Sequence, residues 1–520
     1  MSTRYSYGVL RSAVLAGIVL LPGLVSGQAP APANDPSLAD SVKELQAQIR
    51  DLRAAVAEVR AEAQQYRAET SELRQELAAV RAASSAQTAA VPETTGAGYG
   101  TAAQATATAA TKQDRAASLD EQYQLLAGKV DEQYQTKVES ASKYRVRLSG
   151  IVLLNLFGNQ GKVDNIDLPA VVYDRPPGTS DGSFGATLRQ SQIGLEVFGP
   201  QLAGARTKAD IQMDFGGGFP RTWNGVNAGL FRLRTGTMRM DWAHTSIVVG
   251  QDGLFFSPES PTSFATLAAP AFSYEGNLWA WVPQIRVEHR FAVGEQSSLL
   301  LQGGILDPES GEPPQLNAYR QPQAGERSRV PAFATRVAWS RNVFGQPLRI
   351  GAGAYYSRQD YGFGRNVDAW AGMADWELPL GREFSLTGKL YRGRALGGIG
   401  GAVGRSVLFS GDPGSIETQV RGLNSAGGWA QLKYRAGSKL EFNGGFGEDS
   451  PYLADIRAFQ FPQAYGDPTL TKNQGSLVNV IFRPRSDLLF SAEYRHLKTY
   501  TIDNGTYSAD HVNLTMGVLF

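Results

Sequence analysis

From residue 144 onward, apolar side chains return at every second position in one segment after another. Tyr144, Val146, Leu148, Val152, Leu154 and Leu156 share one face, with Arg145, Arg147, Ser149 and Asn155 opposite, although Ile151, Leu153 and Phe157 blur the separation. Ala209, Ile211, Met213 and Phe215 alternate with Lys208, Asp210, Gln212 and Asp214, and Ile285 and Val287 with Arg286 and Glu288. Phe333, Thr335, Val337 and Trp339 flank Arg336. Leu440, Phe442 and Phe446 alternate with Lys439, Glu441 and Asn443, and Phe490, Ala492 and Tyr494 with Ser491, Glu493 and Arg495. A period of two means strands with one apolar and one polar face.

A soluble sandwich would alternate as well, but three features favour a closed transmembrane barrel. The polar face is often charged, as a wet lumen allows. Short turns alternate with long polar stretches at 306–329, 395–416 and 448–471, the asymmetry of a barrel whose two rims face different compartments. Val512, Leu514, Met516, Val518 and Phe520 close the chain on one face, and Phe520 is read as an outer-membrane sorting signal. Sixteen strand centres fall near 150, 192, 210, 235, 247, 286, 301, 335, 351, 371, 388, 431, 443, 479, 492 and 515. The expected fold is an all-β transmembrane barrel of about 16 antiparallel strands over 143–520, each strand using roughly 9–11 residues to cross the bilayer. An even strand number puts both ends of the barrel on one side.

Composition agrees. The chain holds 58 glycines, 10% aromatic residues and no cysteine, which excludes a disulfide scaffold, a cysteine-ligated zinc site and an iron–sulfur cluster. Outside the extreme N-terminus there is no apolar run long enough for a transmembrane helix. The net charge of +1 hides a division: residues 1–142 carry 13 basic and 16 acidic side chains, the rest 37 and 33.

The N-terminal part reads differently. Residues 1–29 have Arg4 and Arg11, an apolar stretch from Ser12 to Val25 and small residues after it, the pattern of a secretory signal peptide. Over 36–83, apolar positions from Leu38 to Val80 step by four and three, which specifies an α-helical coiled coil. Residues 84–113, rich in Ala, Thr, Ser and Gly, read as a flexible linker. Residues 114–142 read as a helical stalk containing an eleven-residue repeat, Leu119-Asp-Glu-Gln-Tyr-Gln124 and Val130-Asp-Glu-Gln-Tyr-Gln135. The localisation expected is the bacterial outer membrane, with the coil in the periplasm.

Sixteen strands enclose an aqueous channel. Residues 251–278 are the expected constriction loop, with Asp252, Phe255, Phe256, Glu259 and Glu275 combining apolar bulk and acids. Arg189, Arg206, Lys208, Arg232, Arg234, Arg239, Arg286, Arg290 and Arg336 fall on lumen faces and would favour anions. The same arginines could instead brace the wall through Asp210, Asp214, Asp241 and Glu288.

Four short stretches, Arg189-Gln-Ser-Gln-Ile-Gly-Leu195, Phe231-Arg-Leu-Arg234, Val249-Gly-Gln251 and Val282-Pro-Gln-Ile-Arg286, resemble the DcaP-like outer-membrane porins. So does the order of signal peptide, coil and barrel. The resemblance implies a homotrimer of sixteen-stranded porins passing small anionic solutes such as dicarboxylates or phosphate-like anions, with Arg189, Arg232, Arg234 and Arg286 on the channel wall. The chain departs from that family at Asp252-Gly253, where a Thr-Trp pair is common, and at Thr235-Gly236, in place of a His-Ala type continuation.

No cofactor, metal or nucleic acid is expected, and no enzyme: His244, His289, His496 and His511 lack metal-ligand spacing. The competing reading is a structural anchor whose coil tethers the outer membrane to peptidoglycan or a periplasmic partner.

Overall fold

The computed structural model describes residues 145–218, 229–294, 296–311, 320–459 and 469–520. The signal segment, coiled coil, linker and stalk lie outside the described residues. In chain order the strands are β1 Arg145–Gln160, β2 Gly182–Thr187, β3 Gln192–Leu202, β4 Ala205–Asp214, β5 Arg232–Asp241, β6 Thr245–Gly253, β7 Trp281–Ala292, β8 Ser297–Leu306, β9 Ala332–Val343 and β10 Gln346–Asp360. They continue with β11 Asn366–Pro379, β12 Phe384–Arg394, β13 Val407–Phe409, β14 Val420–Gly422, β15 Asn424–Arg435, β16 Leu440–Pro451, β17 Leu470–Arg485, β18 Leu488–Thr501 and β19 Thr506–Leu519.

Each strand of the large sheet pairs antiparallel with its neighbours, and β1 closes the ring against β19, with Ile151 opposite Leu519 and Gln160 opposite Asp510. On its other edge β1 pairs with β3 and then with β2, so these two are halves of one barrel strand broken at residues 188–191. With β13 and β14 forming a small separate hairpin, the barrel has sixteen strands. All sixteen centres expected from the alternation lie inside them.

The rims differ. At the end holding Arg145 and Phe520 the turns are tight. Ala203-Gly204 and Phe344-Gly345 both have two successive positive φ angles, which matches the twist of a two-residue hairpin. At the other end most connections are long, the β10–β11 and β18–β19 turns excepted. The long ones include 161–181, the 254–280 segment and the region holding β13 and β14.

Parity places the side chains. Leu514, Met516 and Val518 of β19, Val478 and Phe482 of β17 and Ile285 and Val287 of β7 are outward and exposed. Asn155, Gln284, Gln302, Lys389, Asn479 and Asn513 are inward and buried. An apolar exterior around a polar interior inverts a soluble protein and suits a lipid belt. Phe384, Tyr434 and Phe442 stack side by side on adjacent strands near the short-turn rim, with ring centroids 4.6 and 6.1 Å apart, as an interfacial aromatic girdle does.

Candidate functional site: the lumen and its inward-folded segment

The 254–280 segment leaves β6 and folds into the barrel. Leu254, Phe255 and Phe256 lie in a buried cluster with Tyr355, Met373 and Tyr391 of β10, β11 and β12. Phe256 stacks on Tyr355 with centroids 5.2 Å apart. The approach is close because Gly353 faces it: a Cβ there would stand 2.6 Å from the Phe256 carbonyl oxygen. Farther along, Thr262 N–H donates to Gln431 Oε1 of β15 (2.8 Å), and its carbonyl accepts from Asn479 Nδ2 of β17 (3.0 Å). Asn155 of β1 donates to the Phe264 carbonyl (3.1 Å), and Gln190 to that of Ala265 (2.8 Å). Arg232 of β5 donates to the Ala268 carbonyl at 2.6 Å. Phe272 then packs against Trp429 and Leu477, and Asn473 donates to the Tyr274 carbonyl. Partners on strands around much of the ring mean that the segment crosses the lumen.

This crossing explains the blur in β1 at Ile151 and Leu153, whereas Phe157 stacks on His511. Ile151 and Leu153 face inward and form an apolar cluster with Ile481 and Leu489, on which Phe264 and Leu267 of the segment rest. Both ends of the segment meet at Lys389 of β12. Its buried ammonium donates to Ser257 Oγ (2.7 Å) and to the Leu278 carbonyl (2.8 Å), tying residues twenty-one apart to one point on the wall.

The expected constriction residues are distributed along this path. Asp252 lies at the end of β6 and pairs with Arg286 (2.7 Å). Phe255 supports that same guanidinium, 5.9 Å from its centroid. Glu259 meets Arg349 at 2.8 Å. Glu275 is fully buried 3.6 Å from Arg495, and burial pushes its carboxyl up to about 8 against the opposing pull of Arg495, with Asp164 adding to the rise. Neither of its oxygens has a hydrogen-bond partner.

The nine basic residues divide by environment. Arg189, only 5% exposed in the break between β2 and β3, forms a two-pronged pair with Asp167 (2.5 and 2.6 Å). Arg336 reaches across β10 to Asp375 (2.6 and 3.0 Å), over Gly351, where any Cβ would collide with both groups. Arg239 meets Asp241 (2.6 Å) and Glu288 (3.0 Å), and Arg286 also meets Glu288 (2.7 Å). Of the acids that could brace the wall, Asp214, Asp241 and Glu288 take part in ion pairs, while Asp210 accepts from the Thr237 hydroxyl (2.5 Å).

Arg232 and Arg234 are different, because both share Asp214, at 2.8 and 3.6 Å. A bulge in the β4–β5 register makes this possible: Asp214 faces Arg232, Met213 faces Leu233, Gln212 faces Thr235, and Arg234 is the extra residue. Both guanidiniums lie over Trp281, 5.0 and 4.8 Å from its centroid. Nε and Nη1 of Arg234 have no hydrogen-bond partner. Lys208 sits opposite Arg239 in register, half-exposed, while Arg206 and Arg290 are exposed towards the short-turn rim.

Sequence reasoning missed Lys389, Arg349, Asp375 and Trp281. Lys389 follows Ser385 and Thr387 on the inward parity of β12, so alternation alone would have placed it. The partnership of Asp375 with Arg336 skips a strand and leaves no local trace.

A closed barrel of sixteen antiparallel strands with an apolar exterior, a polar lumen and a segment folded within it belongs to the architecture of outer-membrane β-barrel channels. Among solved structures, the outer-membrane channel DcaP of Acinetobacter baumannii shares this fold, at 16% identity over 74% of this chain and 100% of that one, with a TM-score of 0.55. An anion-selective porin from Comamonas acidovorans (12% identity, 72% and 100% covered, TM-score 0.46) and OprB of Pseudomonas putida (13%, 72% and 94%, TM-score 0.43) are more distant. No family model and no curated protein matches the chain.

Proposed function

We propose that this protein is a passive diffusion channel of the bacterial outer membrane, narrowed by the 254–280 segment and selective for small anions. The observation that carries the anion preference is the pair Arg232 and Arg234, two cations sharing one acid beside the crossing segment. Two cations set against one acid leave net positive charge at this point of the wall, and the partly exposed Arg232 presents it to a passing anion. The exposed Arg206 and Arg290 and the half-exposed Lys208 would draw anions toward the short-turn rim, whereas Arg189 and Arg336 brace the wall. Dicarboxylates and phosphate-like anions fit this charge. Three copies of the chain would assemble side by side, as the DcaP-like resemblance implies, with the N-terminal coil in the periplasm.

The test is planar-bilayer recording. Under a potassium chloride gradient the reversal potential takes the sign of anion preference, and R232Q/R234Q moves it toward zero. A cation preference in the parent protein defeats the anion reading. Folded protein without conductance defeats the channel itself.

A further inference from the structure

One group of charged side chains lies outside the lumen. On the outward face, toward the long-loop rim, Lys472 of β17 and Lys498 of β18 lean on the same ring, with Nζ 5.0 and 5.2 Å from the Tyr500 centroid. Lys472 stands opposite Tyr500 in register and Lys498 opposite Gln474, so the two ammoniums flank one ring on one face of the sheet. The ring is held in place, since Tyr500 Oη donates to Gln474 Oε1 (3.0 Å) and Gln474 Nε2 to Glu448 Oε2 (2.6 Å). On β12, Arg392 lies over Tyr452, 5.7 Å from its centroid. Of the acids nearby, Glu448 accepts from Gln474 and Ser450 and also lies within the field of Lys472, while Asp510 is engaged by Tyr494 and His496. Among the described residues, no carboxylate lies within ion-pair distance of Lys472, Lys498 or Arg392.

Their height on the wall is informative. The lower aromatic row holds Phe384 on β12, Phe442 on β16, Phe482 on β17 and Phe490 on β18, all exposed outward. Arg392 and Lys498 lie eight residues above that row on their strands, and Lys472 lies ten above. At about 3.3 Å per residue and a tilt of ~40°, that is roughly 20–25 Å, close to the ~25 Å of an outer-membrane barrel's apolar belt. The cations therefore stand at the upper edge of the belt, where lipid headgroups begin. Aromatic rings fix their positions instead of letting them extend into water.

We propose that Lys472 and Lys498, gathered on Tyr500, form a binding site on the outer wall for the phosphate of an anionic lipid in the leaflet at the long-loop rim, with Arg392 on Tyr452 three strands away at the same edge of the belt. This rests on the membrane reading above. Charge complementarity at headgroup height supports it.

The test uses the full chain folded into vesicles of phosphatidylcholine, with or without one part in five phosphatidylglycerol, and reads the midpoint of thermal unfolding. The anionic lipid should raise the midpoint of the parent protein by several degrees. K472Q/K498Q should lose most of that rise, while K439Q/R485Q, with the same charge removed at the short-turn rim, should keep it. An equal rise in all three, or none in the parent, overturns the site. So does copy-to-copy cross-linking of K498C, which would make this face an interface between chains. Failure to insert into vesicles overturns the membrane reading along with it, whereas insertion without lipid preference overturns only the site.

Discussion

At the scale of single residues, the lumen is governed by how each charge is compensated. Arg336 has its own acid and a glycine to make room for the pair, while Arg232 and Arg234 share one. Parity in the sequence put all of these guanidiniums inward. It offered Asp214 as a partner for the shared pair, but not Asp375, which comes from two strands away, nor the Asp167 that holds Arg189 from a loop.

Glu275 carries a pH prediction. It is buried against Gly475 and faces Arg495 of β18, with Asp164 and Tyr274 the other titratable groups around it. Its folded pKa of about 8 lies above the ordinary carboxyl value, so its contribution to stability is full below about pH 4.5 and is lost as pH rises through 8. Amide exchange across 254–280 should therefore be slowest near pH 5 and quicken toward pH 9 beyond the intrinsic chemical rate. In E275Q that extra pH dependence should vanish. A parent protein with protection unchanged across this range would contradict the assignment.

At the scale of elements, the 254–280 segment crosses the lumen on a binding surface written into the strands. Ile151, Leu153, Ile481 and Leu489 break the polar parity of the inner wall because they receive Phe264 and Leu267. In sequence these apolar residues look like noise, since alternation reports only which side a residue faces. The segment itself was legible from its length and aromatic content. The β13–β14 hairpin was not, because strands of three residues are too short to show a period. Shortening the segment by removing 260–274 and joining its ends with two glycines should leave the barrel closed, since β1–β19 pairing does not involve it. Single-channel conductance should rise several-fold and anion preference should fall. Unchanged conductance would mean that the segment does not narrow the path.

At the scale of the whole molecule, the fold was legible because one rule repeats: every second residue outward and apolar, sixteen times. Closure was less so, since the split of β2 and β3 appears only through the pairing of β1 with both. The rule has a consequence that depends on height rather than on neighbours. Leu514 is outward, 52% exposed, and lies six residues from Phe520, near the middle of the belt, while Val518 is outward and two residues from it, near the edge. If lipid covers this wall, L514R should cost about 2–4 kcal/mol of unfolding free energy and V518R no more than about 1, because a guanidinium placed at the edge would reach water along its own stem. Guanidinium unfolding from vesicles, followed by tryptophan fluorescence, measures both. Equal costs would indicate that another chain, rather than lipid, covers the β19 wall, because a protein interface imposes no such gradient with depth.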